Sequence, residues 1–355
     1  MAFVSLVGAA AVQAAASTSR LLVTPGVPVK LHLASRLGLV SLLLVATTAG
    51  LLGYQPSFVT WAVANEPAKV SACVKEANGG QTTCTCVSTE DGQPNDLAAT
   101  LSATTSVLQL ACESTFTFAP DAADNKQVCP AETTDLKICV SNGDSKTSID
   151  VTSLLTGNTE SIQWEAVTRA AQDTTKTLNI PPANLPYTDR HFAVGCLNND
   201  KTTAKCKLTV TIEARASVTQ DQTVTCAYGK TSNQKHQSIK LSPSQNKFTL
   251  VCGKDGEVLP TNYQSTFCVS KNGVNASAEC SGTYTDVIPA YETKWWKHDA
   301  TQHTFTLEIP EGGFPEKETL IMVGCQKSKN AADTDNKVRE EASSDSPTVC
   351  SVDVT

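Results

Sequence analysis

The sequence has 355 residues, of which 40% are hydrophobic, and this length accommodates about two ordinary domains, each with its own core. Its 28 basic and 35 acidic side chains give a formal net charge of −7. The sequence contains no cluster of basic residues. The composition therefore argues against nucleic acid as a partner, because a polyphosphate surface requires a concentrated basic face.

Residues 1–64 have the features of a signal peptide region. Residues 37 to 65 contain no charged side chain, follow three basic residues, and include an apolar core from Leu39 to Leu52. Small residues that suit signal peptidase follow this core at 47–49 and at 62–64, and they favour cleavage at a site that the pattern does not fix. A signal anchor is the alternative, because the run approaches the length of a membrane helix.

Fourteen cysteines indicate an oxidising compartment, because cytosolic thiols are kept reduced. Their even number predicts seven disulfides. No Cys-x-x-Cys motif is present, the closest pair is Cys84 and Cys86, and the five histidines show no ligand spacing near a cysteine. We therefore expect disulfides, with no metal and no cofactor.

The cysteines reveal an internal repeat, because the first four shared positions are related by offsets of 140, 140, 139 and 141 residues. The shared positions are Cys86, Cys112, Cys129, Cys139, Cys196 and Cys206 in the first copy, and Cys226, Cys252, Cys268, Cys280, Cys325 and Cys350 in the second. The repeat predicts two domains, 66–215 and 216–355, joined near Ala214 to Gln220.

Cys73 and Cys84 have no counterpart in the second copy, and the simplest interpretation is that they bond to each other. Cys84 and Cys86 could exchange roles, because residues two apart on a strand point to the same face. The near-constant offset favours Cys86 as the shared position.

Most cysteine-containing segments alternate apolar and polar residues, as a strand with one buried face does. In chain order these segments contain Leu108 to Cys112, Phe192 to Cys196, Cys206 to Ile212, Phe248 to Cys252, Ile321 to Cys325 and Cys350 to Val354. Ser161 to Ala171 is the one segment that allows a short helix. The pattern predicts an all-β protein of two tandem, disulfide-rich β-sandwich domains.

These motifs together resemble the SRS family, the surface-antigen-related proteins of Toxoplasma and its coccidian relatives. The segments that carry the resemblance are Val128 to Thr134, Glu213 to Ser217, Cys226 to Gly229, Leu250 to Gly256 and the two Val-Gly-Cys motifs. The resemblance covers both domains. It implies an immunoglobulin-like or cupredoxin-like sandwich in each.

The resemblance also implies a disulfide pairing, in which the six cysteines of a domain pair first with sixth, second with fifth and third with fourth. The implied pairs are Cys86–Cys206, Cys112–Cys196, Cys129–Cys139, Cys226–Cys350, Cys252–Cys325 and Cys268–Cys280. Cysteine number alone does not select this connectivity, because six cysteines allow fifteen.

For function, the resemblance implies a surface antigen of a parasite, displayed on the outer face of the plasma membrane through a glycolipid anchor. We expect the anchor signal beyond Thr355, because no apolar tail precedes that residue. The implied partners are a host glycan or receptor, host antibody, and a second copy bound through domain 1. Residues 66–215 hold 12 basic and 18 acidic side chains, which argues against a strongly basic glycan groove.

Two groups of side chains are candidates for ligand contact. Arg190, Lys201, Lys205 and Lys207 form the densest basic group of domain 1, and they indicate either part of a polyanion site or a solvated hairpin. Trp295 and Trp296 are adjacent, so only one of them can face the core if both lie on a strand. We therefore expect the other, assigned to Trp296, to lie near the surface, either as an exposed ligand contact or packed against a loop. Trp164 is the predicted counterpart in domain 1.

Asn275 begins an N-glycosylation sequon in a predicted loop. No catalytic motif is recognisable, and every cysteine has a proposed partner, so no enzyme activity is expected. The leading hypothesis is a surface antigen that acts in host-cell attachment and immune recognition. The alternatives are a structural or decoy antigen without a specific ligand, and a secreted hydrolase.

Overall fold

The computed structural model describes residues 70–88, 93–121, 125–139, 147–167, 174–269, 280–329 and 348–355. The predicted signal region and the Asn275 sequon lie outside these residues. No helix in the described segments is long and apolar enough to cross a membrane.

The strands of domain 1 alternate between buried and more exposed side chains. In order, they are β1 (Ala72–Lys75), β2 (Gln81–Cys86), β3 (Asn95–Leu101), β4 (Val107–Cys112), β5 (Phe116–Ala119), β6 (Gln127–Pro130), β7 (Ile149–Asp150), β8 (Trp164–Val167), β9 (Thr174–Asn179), β10 (Arg190–Asn198) and β11 (Ala204–Ile212). On β11, Cys206, Leu208, Val210 and Ile212 are all fully buried, as period-two alternation predicts.

Two sheets form the sandwich of domain 1. One has the strand order β1-β2-β4-β9-β8, and the other has the order β3-β11-β10-β6-β7, with β5 also paired to β10. The pairs β2–β4 and β3–β11 are parallel, whereas the other pairs are antiparallel. A parallel pair requires a crossover, so the chain passes repeatedly between the two sheets.

Domain 2 repeats this topology. Its strands are β12 (Val218–Gln220), β13 (Thr223–Thr225), β14 (Gln237–Ile239), β15 (Lys247–Val251), β16 (Gly256–Leu259), β17 (Thr266–Phe267), β18 (Gly282–Thr283), β19 (Trp296–Asp299), β20 (Thr304–Glu308), β21 (Ile321–Lys327) and β22 (Val349–Val354). The sheet orders are β12-β13-β15-β20-β19 and β14-β22-β21-β16, beside the hairpin β17–β18. Both domains are therefore nearly all-β sandwiches, as predicted.

The helices in the described residues are short. They comprise α1 (Tyr284–Val287) and the 3₁₀ turns Leu136–Cys139, Val151–Leu154, Pro182–Asn184 and Thr293–Trp295. The short helix considered for Ser161 to Ala171 is wrong where the chain is described, because Trp164–Val167 forms β8 and pairs with β9. Burial of Trp164 against Phe118, with ring centroids 5.0 Å apart, favours the strand.

Seven disulfides connect the fourteen cysteines, and no cysteine is free. The pairs are Cys73–Cys84, Cys86–Cys206, Cys112–Cys196, Cys129–Cys139, Cys226–Cys350, Cys252–Cys325 and Cys268–Cys280. They are the pairs that the resemblance implies, together with the local pair of domain 1. In each domain, two of these bonds connect the two sheets and close long loops of the chain.

The expectation that one of the two tryptophans lies near the surface is wrong. Trp295 is 6% exposed and Trp296 is 3% exposed. Trp295 ends a 3₁₀ turn whereas Trp296 begins β19, so the alternation that would separate two neighbours on a strand does not apply. Trp296 lies opposite Leu307, as Trp164 lies opposite Leu178 in domain 1. Trp296 is therefore a core residue and not a ligand contact.

We expect Trp296→Phe to lower the free energy of unfolding of domain 2 by about 1–2 kcal/mol, because it removes ring atoms that pack against Phe248 and Tyr263. Urea unfolding monitored by far-UV circular dichroism measures the loss. His298→Ala is the control, since His298 is exposed on the same strand and stacks only on Phe305. Equal stability of Trp296→Phe and the parent protein would contradict the core assignment.

Candidate functional site

The structure separates Arg190 from the three lysines with which it was grouped. Arg190 begins β10 and lies opposite Ile212, whereas Lys207 lies opposite Gly195. Five residues of β11 therefore separate the two side chains along the hairpin, which corresponds to about 17 Å. Arg190 belongs to the end of domain 1 that meets domain 2, and the lysines belong to the opposite end, here called the distal end.

At the domain junction, Arg190 forms an ion pair with Asp255 of domain 2, with Nη2 and Oδ2 3.5 Å apart. The neighbouring Asp189 accepts hydrogen bonds from the backbone N–H groups of Ala214 in the linker, at 2.7 Å, and Lys230 in domain 2, at 3.0 Å. One carboxylate thus connects domain 1, the linker and domain 2. Arg190 has a structural role at this junction and is not available to a ligand at the distal end.

Lys201 lies in the turn between β10 and β11 and forms an ion pair with Asp121. The turn is fixed by Asp200, which accepts hydrogen bonds from the Thr202 hydroxyl at 2.6 Å and the Thr202 N–H at 3.0 Å. These hydrogen bonds, the first of them above all, lower the pKa of Asp200. Lys201 is therefore paired, and the turn corresponds to the solvated-hairpin interpretation.

Lys205 and Lys207, here called the distal lysine pair, differ from Lys201. Both lie on the face of β11 opposite the buried Cys206 and Leu208, and both are partly exposed. Neither forms an ion pair within 4.0 Å with any residue that the structure describes. Two residues of a strand separate them by about 7 Å, so one anionic ligand can contact both.

A 3₁₀ turn, Leu136–Cys139, packs on β10 and β11 beside this pair. The Cys129–Cys139 disulfide holds the turn in place, and Leu136 is 1% exposed in a small core outside the sheet. Ile138 is 61% exposed and ranks among the most exposed large apolar side chains of the described residues. Sequence reasoning missed Ile138. The implied Cys129–Cys139 pair could have placed Ile138 near β10 and β11, since this disulfide folds residues 130–138 back onto the sheet.

Lys176 adds a third cation on the neighbouring sheet, with Nζ 4.6 Å from the centroid of the Phe118 ring. Burial lowers the pKa of Lys176, and the opposing effect of the Asp121 charge is smaller. A lysine over an aromatic face retains its attraction for that ring while it is charged. Lys176 thus stabilises the domain and does not extend the distal lysine pair.

No metal-binding arrangement of free side chains is apparent in the described residues. The cluster with suitable geometry there consists of Cys86, Cys196 and Cys206. Their sulfurs belong to the disulfides Cys86–Cys206 and Cys112–Cys196, so they offer no thiolate to a metal.

Comparison with known proteins agrees with this architecture. The SRS domain model of the SAG family matches residues 80–212 and 222–355. The chain belongs to the SRS domain family. Each match covers one sandwich except its first strand, β1 or β12, and includes the six shared cysteines of that copy.

Among solved structures, the bradyzoite-specific antigen BSR4 of Toxoplasma gondii is 27% identical, with a TM-score of 0.61, over 80% of this chain and 96% of the antigen. SporoSAG of Toxoplasma gondii is 16% identical, with a TM-score of 0.28, over 76% and 97% of the respective chains. No curated protein sequence matches the chain. The SRS proteins are surface antigens, and this chain is a two-domain member.

Proposed function

We propose that this SRS protein is a parasite surface antigen that attaches to host cells through anionic glycans, which bind at the distal end of domain 1. The observation that carries the proposal is the distal lysine pair, Lys205 and Lys207, which share a strand face and have no ion-pair partner among the described residues. Charged oxygens of a sulfated or carboxylated sugar are suitable partners for both ammonium groups.

The position of the pair supports this role. Lys205 and Lys207 lie on a strand that is held by the Cys86–Cys206 and Cys112–Cys196 disulfides through its own Cys206 and through the paired Cys196. A rigid support lowers the entropy lost when a ligand binds. Ile138, exposed on the 3₁₀ turn that packs against β10 and β11, provides an apolar contact for the ring face of a sugar.

A structural or decoy antigen without a specific ligand is the second candidate, and Asp96 favours it. Asp96 lies opposite Lys207 in the parallel pair of β3 and β11, so a carboxylate of the protein borders the site. Domain 1 also has 18 acidic but only 12 basic side chains, and this negative net charge, together with Asp96, repels polyanions. We infer that antibody recognition is common to both candidates.

We expect the double substitution Lys205→Glu and Lys207→Glu to weaken heparin binding in 50 mM salt by at least about tenfold, since each reversal replaces an attraction by a repulsion. Biolayer interferometry with immobilised heparin measures it. The control is Lys254→Glu with Lys317→Glu, which makes the same charge change at exposed sites of domain 2.

Asp96→Asn is expected to strengthen heparin binding, because it removes the carboxylate that faces Lys207. Equal weakening by the two double substitutions would show that net charge alone is responsible. Absence of heparin binding by the parent protein, on heparin and on a glycan array, would favour the antigen without a specific ligand.

A further inference from the structure

We propose that the Cys73–Cys84 disulfide is a thiol–disulfide exchange site, which a dithiol reductant cleaves while the sandwich of domain 1 stays folded. Cys73 and Cys280 are the two partly exposed cysteines of the chain, and the other twelve are buried. Exchange requires that a thiolate reach a disulfide sulfur, so disulfides with a solvent-accessible sulfur are expected to exchange fastest.

The strand that carries Cys73 is weakly integrated in the domain. β1 is an edge strand of four residues and, among the described strands, pairs only with β2. Val74 is 64% exposed and the preceding Val70 is 71% exposed, so β1 buries little apolar surface apart from Cys73. Ser71 anchors the start of the strand through its hydroxyl, which accepts a hydrogen bond from the Val87 N–H at 3.0 Å.

Cys73 and Cys84 lie directly opposite each other in the antiparallel β1–β2 pair and close a loop with a sequence separation of 11. The disulfides between the sheets of this domain have separations of 120 and 84. Since a short loop restricts the unfolded chain least, loss of Cys73–Cys84 removes less stability than loss of either inter-sheet bond.

Domain 2 shows that the hairpin does not require this disulfide. In the corresponding β12–β13 pair, Thr219 and Val224 occupy the opposed positions, and the two strands still form three residue pairs. Val224 is fully buried, as Cys84 is in domain 1. A reduced Cys73 and Cys84 therefore place a thiol where the repeat already accepts a methyl-bearing side chain.

Cys280, the other partly exposed cysteine, has a different setting. Its partner Cys268 is fully buried and exchanges two backbone hydrogen bonds with Met322 on β21, at 2.8 and 3.0 Å. The Cys268–Cys280 bond belongs to the six-cysteine frame that both domains share. It is the internal competitor in the experiment below.

The exchange is balanced as a two-electron reduction by an external dithiol. One thiolate of the dithiol attacks the Cys73 sulfur, the Cys73–Cys84 bond breaks, and Cys84 leaves as a thiolate that takes up a proton. The second thiol of the reductant then attacks the reductant sulfur that is bonded to Cys73, forms the internal disulfide of the reductant and releases the Cys73 thiolate, which is protonated in turn. The protein gains two thiols and the dithiol becomes a disulfide.

The test treats the full chain with graded dithiothreitol at pH 7.5, alkylates new thiols with an isotope-coded reagent, and measures labelling of each cysteine by peptide mass spectrometry. We expect Cys73 and Cys84 to be labelled at least tenfold faster than the other twelve cysteines. Labelling of Cys268 and Cys280 at the same rate or earlier would overturn the proposal.

The matched variant is Cys73→Thr with Cys84→Val, which copies the residues of domain 2. It is expected to lack the early labelling, while the other twelve cysteines keep their rates. Hydrogen exchange after partial reduction of the parent protein is expected to accelerate at the amides of β1 and to be unchanged in β4 and β9. Faster exchange in β4 as well would show that the sandwich unfolds, which would also overturn the proposal.

Discussion

Replacement of both cysteines of the Cys252–Cys325 disulfide by alanine is expected to lower the free energy of unfolding of domain 2 by about 4 kcal/mol. This bond joins the end of β15 to β21, connects the two sheets, and has a sequence separation of 73. Its loss frees a long segment of the unfolded chain and leaves two buried alanines with less packing. Urea unfolding with hydrogen exchange resolved by domain measures the effect.

Domain 1 is the internal control for this change, because it has its own core and its own four disulfides. Its amides are expected to keep their exchange rates when domain 2 is destabilised. A loss of protection of equal size in both domains would show that the two sandwiches unfold as one unit. A destabilisation below about 1 kcal/mol would contradict the importance of the inter-sheet bond.

The second large effect is expected for Gly229→Ala at the domain junction. A Cβ atom at this position would lie 2.4 Å from Asp189 Oδ1 and 2.5 Å from the Cβ atom of Ala214. Because these distances are far below contact, the methyl group displaces the carboxylate that connects the linker to Lys230. We expect a cost of about 1–3 kcal/mol at the junction.

Small-angle X-ray scattering is expected to show a broader distribution of interdomain distances in Gly229→Ala, and trypsin is expected to cleave at Arg215 in the linker. Gly80→Ala is the control, since a Cβ atom there meets nothing within 4 Å. Unchanged scattering and cleavage in Gly229→Ala would show that Asp189 is not needed to hold the domains together.

The cysteine repeat predicted two tandem domains, because disulfides that connect sheets require a fixed order of strands. The alternation on β11 likewise predicted which side chains are buried. The parallel pairing of β3 with β11 was not predicted, since it depends on where the chain crosses between sheets. Such crossovers leave no periodic signal in a single sequence.

The candidate site was predicted only in part, for reasons that differ between residues. Lys205 and Lys207 share a strand face because residues two apart on a strand point to the same side, which is a local property. Arg190 was grouped with them because it is close to them in sequence. In the β10–β11 hairpin, however, Arg190 lies at the open end and the lysines lie at or near the turn. Trp296 was expected to lie near the surface because the 3₁₀ turn that ends at Trp295 was not recognised.

The Cys86–Cys206 disulfide, which joins β2 to β11, also affects the order in which domain 1 is completed during synthesis. Cys206 follows Cys86 by 120 residues, and a ribosome that adds about 5–20 residues per second needs roughly 6–24 s to produce that length. During this interval Cys86 has no native partner, and Cys84 lies two residues away. Cys73 is already present by then. Early formation of the Cys73–Cys84 bond therefore prevents Cys84 from bonding to Cys86 or to Cys206, so that Cys86 can pair with Cys206 on the last strand of the domain.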